Sequence, residues 1–317
     1  MPSIVTHHYF AKDILNKLNN ETKQTFQNSY SIFLIFAQSF DNLFYYKLLT
    51  PWLGKKERTL GYDAQKIKVN LYFENIINEI EKKPTSNNLA YLYGSYCHYI
   101  LDSTCHPYVI YQAGDEEKDK KYNGLHEKIE VNIDAQIYKK KTGKNLKDVQ
   151  IANMLLPKEK FSNELKETLT NTFKNTFQID NMGPIYEKSV AMGNFLLKYA
   201  VTDRTGIKKA LYKLRDFLCN HKKYQYLSFH VTKLIPEYLN EPKQTWVYPV
   251  DNTMIHNESF QELYEQALTK TIELITLTEK YLKNQITKKE LLAHIGNNSY
   301  VTGIDCNKKQ TMNHFKF

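Results

Sequence analysis

The sequence contains few of the residues that interrupt or cross-link a chain, since its 317 residues include 11 Gly, 9 Pro and 4 Cys. Most of the glycines and prolines separate long periodic segments, and no stretch has the low complexity of a disordered region. The cysteines form no CxxC pair, and in a chain of this length they do not make a disulfide framework. With 42% hydrophobic residues, the chain has ample material for a large core.

The sequence also has no run that approaches about 18 apolar residues, so no transmembrane helix is expected. Its first residues, MPSIVTHHYFAKDIL, lack the basic and apolar regions that make a signal peptide. We therefore expect a reduced, cytoplasmic protein.

Charge is the one compositional bias, with a formal net charge of +9. A basic balance suits nucleic acid, anionic membrane surfaces or phosphate-bearing substrates. The lysines are scattered and interleaved with acidic residues, however, which favours an ordinary solvated surface over a stripe that binds polyanions.

Apolar residues recur at helical spacing along most of the chain, and short runs that alternate at period two are hard to find. The sequence therefore predicts an all-α protein, a single multi-helix bundle over residues 1–300, with 301–317 as a loose C-terminal tail. Ser259 or Asn257 is expected to cap the penultimate helix. The predicted helices cover 8–19, 22–49 with a break near Ser39, 64–83, 88–106, 124–141, 159–178, 185–203, 207–220, 257–283 and 286–295.

One segment, YLYGSYCHYILDSTCHPYVIY at 91–111, holds a single formal charge, Asp102, with His98 and His106 four residues to either side. An isolated carboxylate in an apolar helix is disfavoured unless it is paired or bound to a metal. The spacing i, i+4, i+8 puts all three side chains on one helix face. Pro107 disfavours helical geometry at the residue before it, so we expect His106 to end the helix. The alternative is a buried His–Asp pair that serves packing only.

A second motif, LHEKIEVNID at 125–134, places His126 and Glu130 at i, i+4, with Asp134 another turn along. Alone, such a pair is usually a surface contact. Two such helices joined by a polar loop, however, form a hairpin that can bring both rows together. His, Asp and Glu at this spacing, without CxxC, are ligands for zinc in an open, catalytic type of site. Asp102 is placed to bridge two ions, and closely spaced metals favour phosphoryl chemistry.

Two further candidates are weaker. Thr6-His7-His8 opens the first helix, from which a histidine can reach the mouth of a bundle. Asp41 lies among aromatic residues in QSFDNLFYY, and a capping role explains it equally well from local sequence.

Taken in order, THH, QSFDNLFYY, HYILDSTCHPY and HEKIEVNID resemble the zinc-dependent phospholipase C family. The later segment TWVYPVDNTMIHNESFQELYEQAL is similar to the bacterial intracellular branch of that family. The resemblance implies an all-helical fold, which is shared with zinc-dependent single-strand nucleases. It also implies a site for up to three zinc ions and the hydrolysis of phospholipid phosphodiesters. It implies that His7 binds one ion, which Asp102 bridges to a second. His98 binds that second ion, with Asp41 as ligand or general base. His106, His126 and Glu130 then hold the third.

The sequence departs from the family pattern at one ligand position. Where the family has a histidine in a run like LGxxxH, this chain has LGYDAQ, with Gln65 at the expected position. An amide oxygen is a poor zinc ligand beside imidazole, so the second ion is expected to bind weakly, to be another metal or to be absent.

Three functions follow as hypotheses. The first is a phospholipase C-like phosphodiesterase that attacks with metal-bound hydroxide, oriented by Asp41. The second is a catalytically impaired metal-binding homologue, which Gln65 supports. The third is a single-strand nuclease, which needs base-stacking aromatics on a basic groove and is not favoured.

Overall fold

The helices predicted from apolar spacing account for most of the fold, which is all-α with one two-stranded hairpin. The structure of the protein is a computed structural model that describes residues 4–116 and 118–316. Its α-helices are, in chain order, α1 Ile4–Lys17, α2 Asn20–Thr25, α3 Tyr30–Phe36, α4 Lys55–Asp63, α5 Val69–Lys82, α6 Ser86–Ala113, α7 Leu125–Thr142, α8 Ala152–Leu155, α9 Asn163–Phe177, α10 Met182–Leu196, α11 Ile207–Leu218, α12 Phe260–Leu282 and α13 Lys288–Ile295. None of these helices is long and apolar enough to cross a membrane.

Helix α6 is the centre of the bundle, and α1, α3, α5, α7, α9 and α12 all pack against it. Its apolar and aromatic residues are buried on nearly every side, as expected for a helix without a polar face. Gly94 allows α3 to lie close, because a Cβ at this position would stand 2.5 Å from the carbonyl oxygen of Phe33.

The prediction that α6 ends at His106 is wrong. The helix continues through Pro107 to Ala113. Proline removes one backbone hydrogen bond from a helix and crowds the preceding turn. Here Pro107, Tyr108 and Val109 are all buried in the core, and their packing holds the last turns in place. His106 is therefore an internal helical residue, in register with His98 and Asp102.

The region predicted as one interrupted helix over 22–49 contains α2, α3 and two 3₁₀ segments, Gln27–Ser29 and Ser39–Tyr45. The expected break near Ser39 is confirmed, since this residue has a φ of 31° and begins the second segment. Ser259 caps α12, and its side chain and that of Glu262 form a reciprocal capping box. The antiparallel hairpin of β1 Trp246–Tyr248 and β2 Asp251–His256 was not predicted.

The segment that follows α13 returns to the bundle. Asn298 and Asp305 form an isolated bridge. The amides of Asn313 and Lys316 donate to the carbonyls of Pro249 and Tyr111, at 2.8 and 2.9 Å. The assignment of residues 1–300 to one domain, with 301–317 as a tail, stays a prediction.

Candidate metal centre

Helices α1, α6 and α7 meet at a cluster of imidazoles and carboxylates inside the bundle. Local helical geometry explains much of it, because residues four apart project from the same face. On α6 this rule aligns His98, Asp102 and His106, and on α7 it aligns His126 with Glu130. The contact of α6 with both α1 and α7 then brings the rows together.

The first group consists of His7, His98 and Asp102, whose ligand atoms all lie within 4.8 Å of one another. The two oxygens of Asp102 face different rings: Oδ1 lies 3.1 Å from Nε2 of His7, and Oδ2 lies 3.3 Å from Nε2 of His98. All three side chains are buried. One buried carboxylate thus faces two imidazoles from different helices, one with each oxygen.

Two atoms of this group provide a test of whether a cation fits. Nε2 of His98 and Oδ2 of Asp102 are buried and have no hydrogen-bond partner among the described residues. Buried polar atoms are normally satisfied, because leaving one unpaired costs free energy. A cation beside both atoms would satisfy them together. The residues therefore fit a metal.

The second group consists of His106, His126 and Glu130. The Nε2 atoms of the two histidines are 3.3 Å apart. Oε1 of Glu130 lies 3.3 Å from Nε2 of His106 and 3.0 Å from Nε2 of His126. Tetrahedral ligands at zinc-bond lengths are separated by about 3.3 Å. The side chain of His126 is 32% exposed, so this group forms the open edge of the centre.

Asp41 and Gln65 lie beside the first group. Oδ1 of Asp41 is 4.0 Å from Nε2 of His98. The side-chain amide of Gln65 donates to the same Oδ1 at 2.8 Å, and to the carbonyl of Gly61 at 3.1 Å. Gln65 therefore lies on the far side of Asp41's contact with His98, and its NH₂ group points toward the carboxylate. The capping alternative for Asp41 finds no support, because its side chain accepts from Gln65 rather than from a helix amide.

The charge states of these buried groups suit metal binding. Burial lowers the pKa of His98 to about 3, so its ring is neutral, which is the form that binds metals. Burial opposes ionisation of Asp102, but the charge of His7 and the hydrogen bond from its ring hold the pKa of Asp102 below its ordinary value. Burial and the charge of Asp102 raise the pKa of Asp41 to about 7, which leaves this carboxyl able to exchange a proton near neutral pH.

Two residues support these ligands in ways that the sequence did not indicate. Asp134 accepts hydrogen bonds from the amides of Val5 and Thr6, at 3.1 and 2.8 Å, and so fixes the helix start that carries His7. Its i+4 spacing from Glu130 predicts that it shares a face of α7 with Glu130, but not that it binds α1. The backbone of Tyr300 accepts from Nδ1 of His106 and donates to the carbonyl of Gln65. No local pattern could place Tyr300 there.

Fold and site together define an all-helical protein with two adjacent histidine–carboxylate groups suited to divalent metal. A protein-family model described as zinc dependent phospholipase C matches residues 6–179. This range covers more than half of the chain, including both groups, Asp41 and Gln65, and so the chain belongs to that family. Comparison with curated proteins and with solved structures finds no match.

Proposed function

We propose that the protein is a zinc-dependent phosphodiester hydrolase that acts on phospholipid head-group esters. The observation that carries this proposal is the Asp102 carboxylate, whose two oxygens face different buried imidazoles at 3.1 and 3.3 Å. A carboxylate shared in this way would serve two zinc ions, and bound zinc would supply the charge that binds and activates a phosphodiester.

Each residue has a role in this proposal. His7 and Asp102 would hold one ion, and His98 and Asp102 would hold a second, with Asp41 beside it as a ligand or as the general base. His106, His126 and Glu130 hold a third, so the centre takes up to three zinc ions. When bound, zinc lowers the pKa of water and neutralises charge on phosphate oxygens. As the general base, Asp41 would orient the attacking water or accept its proton. The cytoplasmic location stays a prediction.

The test is turnover of a chromogenic phosphodiester and of phosphatidylcholine by the purified chain, with metal content measured in the same samples. We expect a chelator to abolish turnover and added zinc to restore it, because the proposed reaction depends on zinc to activate water and to neutralise charge on the phosphate oxygens. Single-stranded DNA serves as the comparison substrate and should be cleaved far more slowly. Zinc binding without turnover, or turnover that resists the chelator, would contradict the proposal.

The second candidate is a metal-binding homologue without activity. The observation that favours it is the orientation of Gln65, whose amide donates to Asp41 and leaves the second ion short of a ligand. Zinc content and turnover separate the two candidates. If the chain binds zinc only at His106, His126 and Glu130, and hydrolyses neither the chromogenic phosphodiester nor phosphatidylcholine, it is the non-catalytic homologue.

Gln65→His should strengthen zinc binding at His98, in the first group. A ring nitrogen at this position adds a preferred zinc ligand next to Asp41 and His98. We expect zinc affinity or turnover to rise by about tenfold or more, comparable to the effect of residues that support metal ligands. Titration calorimetry with zinc measures the affinity, and the phosphodiesterase assay measures the turnover. Gln112→His, the same change at a buried position of α6 outside both groups, is the control. If the Gln65 variant behaves like the control, Gln65 does not limit the site.

A further inference from the structure

Helix α11 is attached to the protein by its polar face. Asp216 is its one fully buried residue, and its two carboxylate oxygens accept from the amides of Tyr224 and Gln225, at 3.0 and 2.9 Å. The hydroxyl of Tyr212 donates to the carbonyl of Ala200 at 3.0 Å. In a globular protein, an amphipathic helix normally buries its apolar stripe. Here the orientation is reversed.

The apolar face of α11 is consequently exposed to solvent. We call this the α11 face, made of Ile207, Leu211, Leu214, Phe217 and Leu218. These side chains are exposed by 64%, 59%, 55%, 82% and 73% respectively. At about 100° per residue they cover an arc of roughly 120°, so they form one continuous surface. A contiguous exposed apolar patch of this kind marks an interaction site, whereas single exposed leucines do not.

The charges around the α11 face are basic on both sides. On the same helical projection Arg215 and Lys208 border one edge, and Lys213 borders the other. The only acidic residue of the helix, Asp216, points into the protein. An apolar stripe between basic residues is the pattern of a helix that lies in the interface of an anionic bilayer. A second copy of the chain is disfavoured, because two-fold pairing would place like-charged edges together.

The segment that follows α11 connects it to the metal centre. The amide of Lys222 donates to the side chain of Asn123 at 2.8 Å. The carbonyl oxygen of Lys222 lies so close to Gly124 that a Cβ there would be 2.4 Å away. Gly124 precedes α7, whose first turn carries His126, the most exposed of the candidate ligands. The segment that follows α11 is thus anchored at the start of α7, next to the open edge of the centre.

We propose that α11 is a membrane-docking helix, which lies in the plane of an anionic phospholipid surface with the α11 face among the acyl chains. Docking requires no catalysis. Its consequence, that docking brings the open edge of the centre close to lipid head groups, rests on the proposed phosphodiesterase function.

Vesicle flotation of the full chain tests docking directly. The wild type should bind vesicles of phosphatidylcholine with phosphatidylserine more tightly than vesicles of phosphatidylcholine alone. The double variant Leu214→Ser, Phe217→Ser should lose about tenfold or more of that binding, since both side chains leave the interface. Both residues are exposed, so the fold should be retained, which circular dichroism checks. Ile255→Ser is the matched control, because it also replaces an exposed apolar side chain by serine, at a 68% exposed position of β2. This variant should bind as the wild type does.

The charge contribution is measured separately. Lys213→Gln should weaken binding to the anionic vesicles by about fivefold and leave binding to neutral vesicles unchanged. Equal binding by the wild type and the double variant would overturn the proposal, as would no binding by either. A wild-type dimer in sedimentation that the double variant abolishes would also overturn it, and would identify the α11 face as an interface between copies.

Hydrolysis of a soluble phosphodiester separates docking from the proposed function. The double variant should cleave the soluble ester at the wild-type rate and cleave vesicle lipid more slowly. If neither protein cleaves the soluble ester while the difference in vesicle binding holds, then the proposed function fails and docking stands.

Discussion

Asp102→Asn is expected to remove zinc from the first group and to lower phosphodiester turnover by about 10³-fold or more, because bound metals supply several kcal/mol of transition-state stabilisation. The carboxylate faces His7 with one oxygen and His98 with the other. An amide of the same shape has one neutral oxygen and one NH₂ group, so it cannot bridge two cations. Among single substitutions at the centre, this change should therefore affect the most ions.

The measurement is zinc per chain by elemental analysis, together with the rate on a soluble phosphodiester. Asp203→Asn is the matched control: Asp203 is also buried, but it accepts from the amides of Gly206 and Lys209 and belongs to neither group. We expect the control to keep its zinc and its rate. If Asp102→Asn retains full zinc content, Asp102 serves packing only, and the bridging role is refuted.

The sequence could predict those parts of the centre that depend on local geometry. Four-residue spacing fixes the mutual positions of His98 and Asp102, whatever surrounds the helix. The polar loop between two such helices made a hairpin a reasonable expectation. The prediction from Pro107 was wrong because the free energy that proline costs a helix is smaller than the free energy that the packing of the surrounding residues contributes.

Other parts of the centre depend on contacts between distant segments. His7 and His8 are adjacent in α1, yet only His7 lies within 3.1 Å of Asp102, while His8 packs edge-on against Tyr9. The family resemblance selected His7, and composition and spacing could not. The backbone of Tyr300 joins His106 to Gln65 through two hydrogen bonds, and no periodic pattern in the sequence indicates this connection.

Helix α11 shows a third limit. Its apolar spacing predicted a helix over 207–220, and the structure has one at Ile207–Leu218. A periodic stripe does not indicate whether it faces the core or the solvent, however, because either arrangement gives the same sequence. Only the burial of Asp216 and the exposure of Phe217 reveal the direction.

Glu130→Gln is expected to remove a single ion, that of the second group, and to lower turnover by about 10²-fold or more, an effect of the size seen when metal ligation is disrupted. Oε1 of Glu130 is the only carboxylate atom near His106 and His126 among the described residues of this group, at 3.3 and 3.0 Å. With a neutral amide in its place, the two imidazoles lose the one carboxylate of their group.

The value of this variant lies in its comparison with Asp102→Asn. Glu79→Gln, at a buried carboxylate that binds Lys82 and Asn171 instead, is the control and should lose nothing. If the groups are separate, Glu130→Gln keeps the zinc bound at His7 and His98, and Asp102→Asn keeps the zinc at His106. A metal-edge diffraction map of each variant identifies which ion remains. If either substitution empties both groups, the centre binds its ions as one cooperative unit, since each group then needs the other's cation to hold its ligands in place.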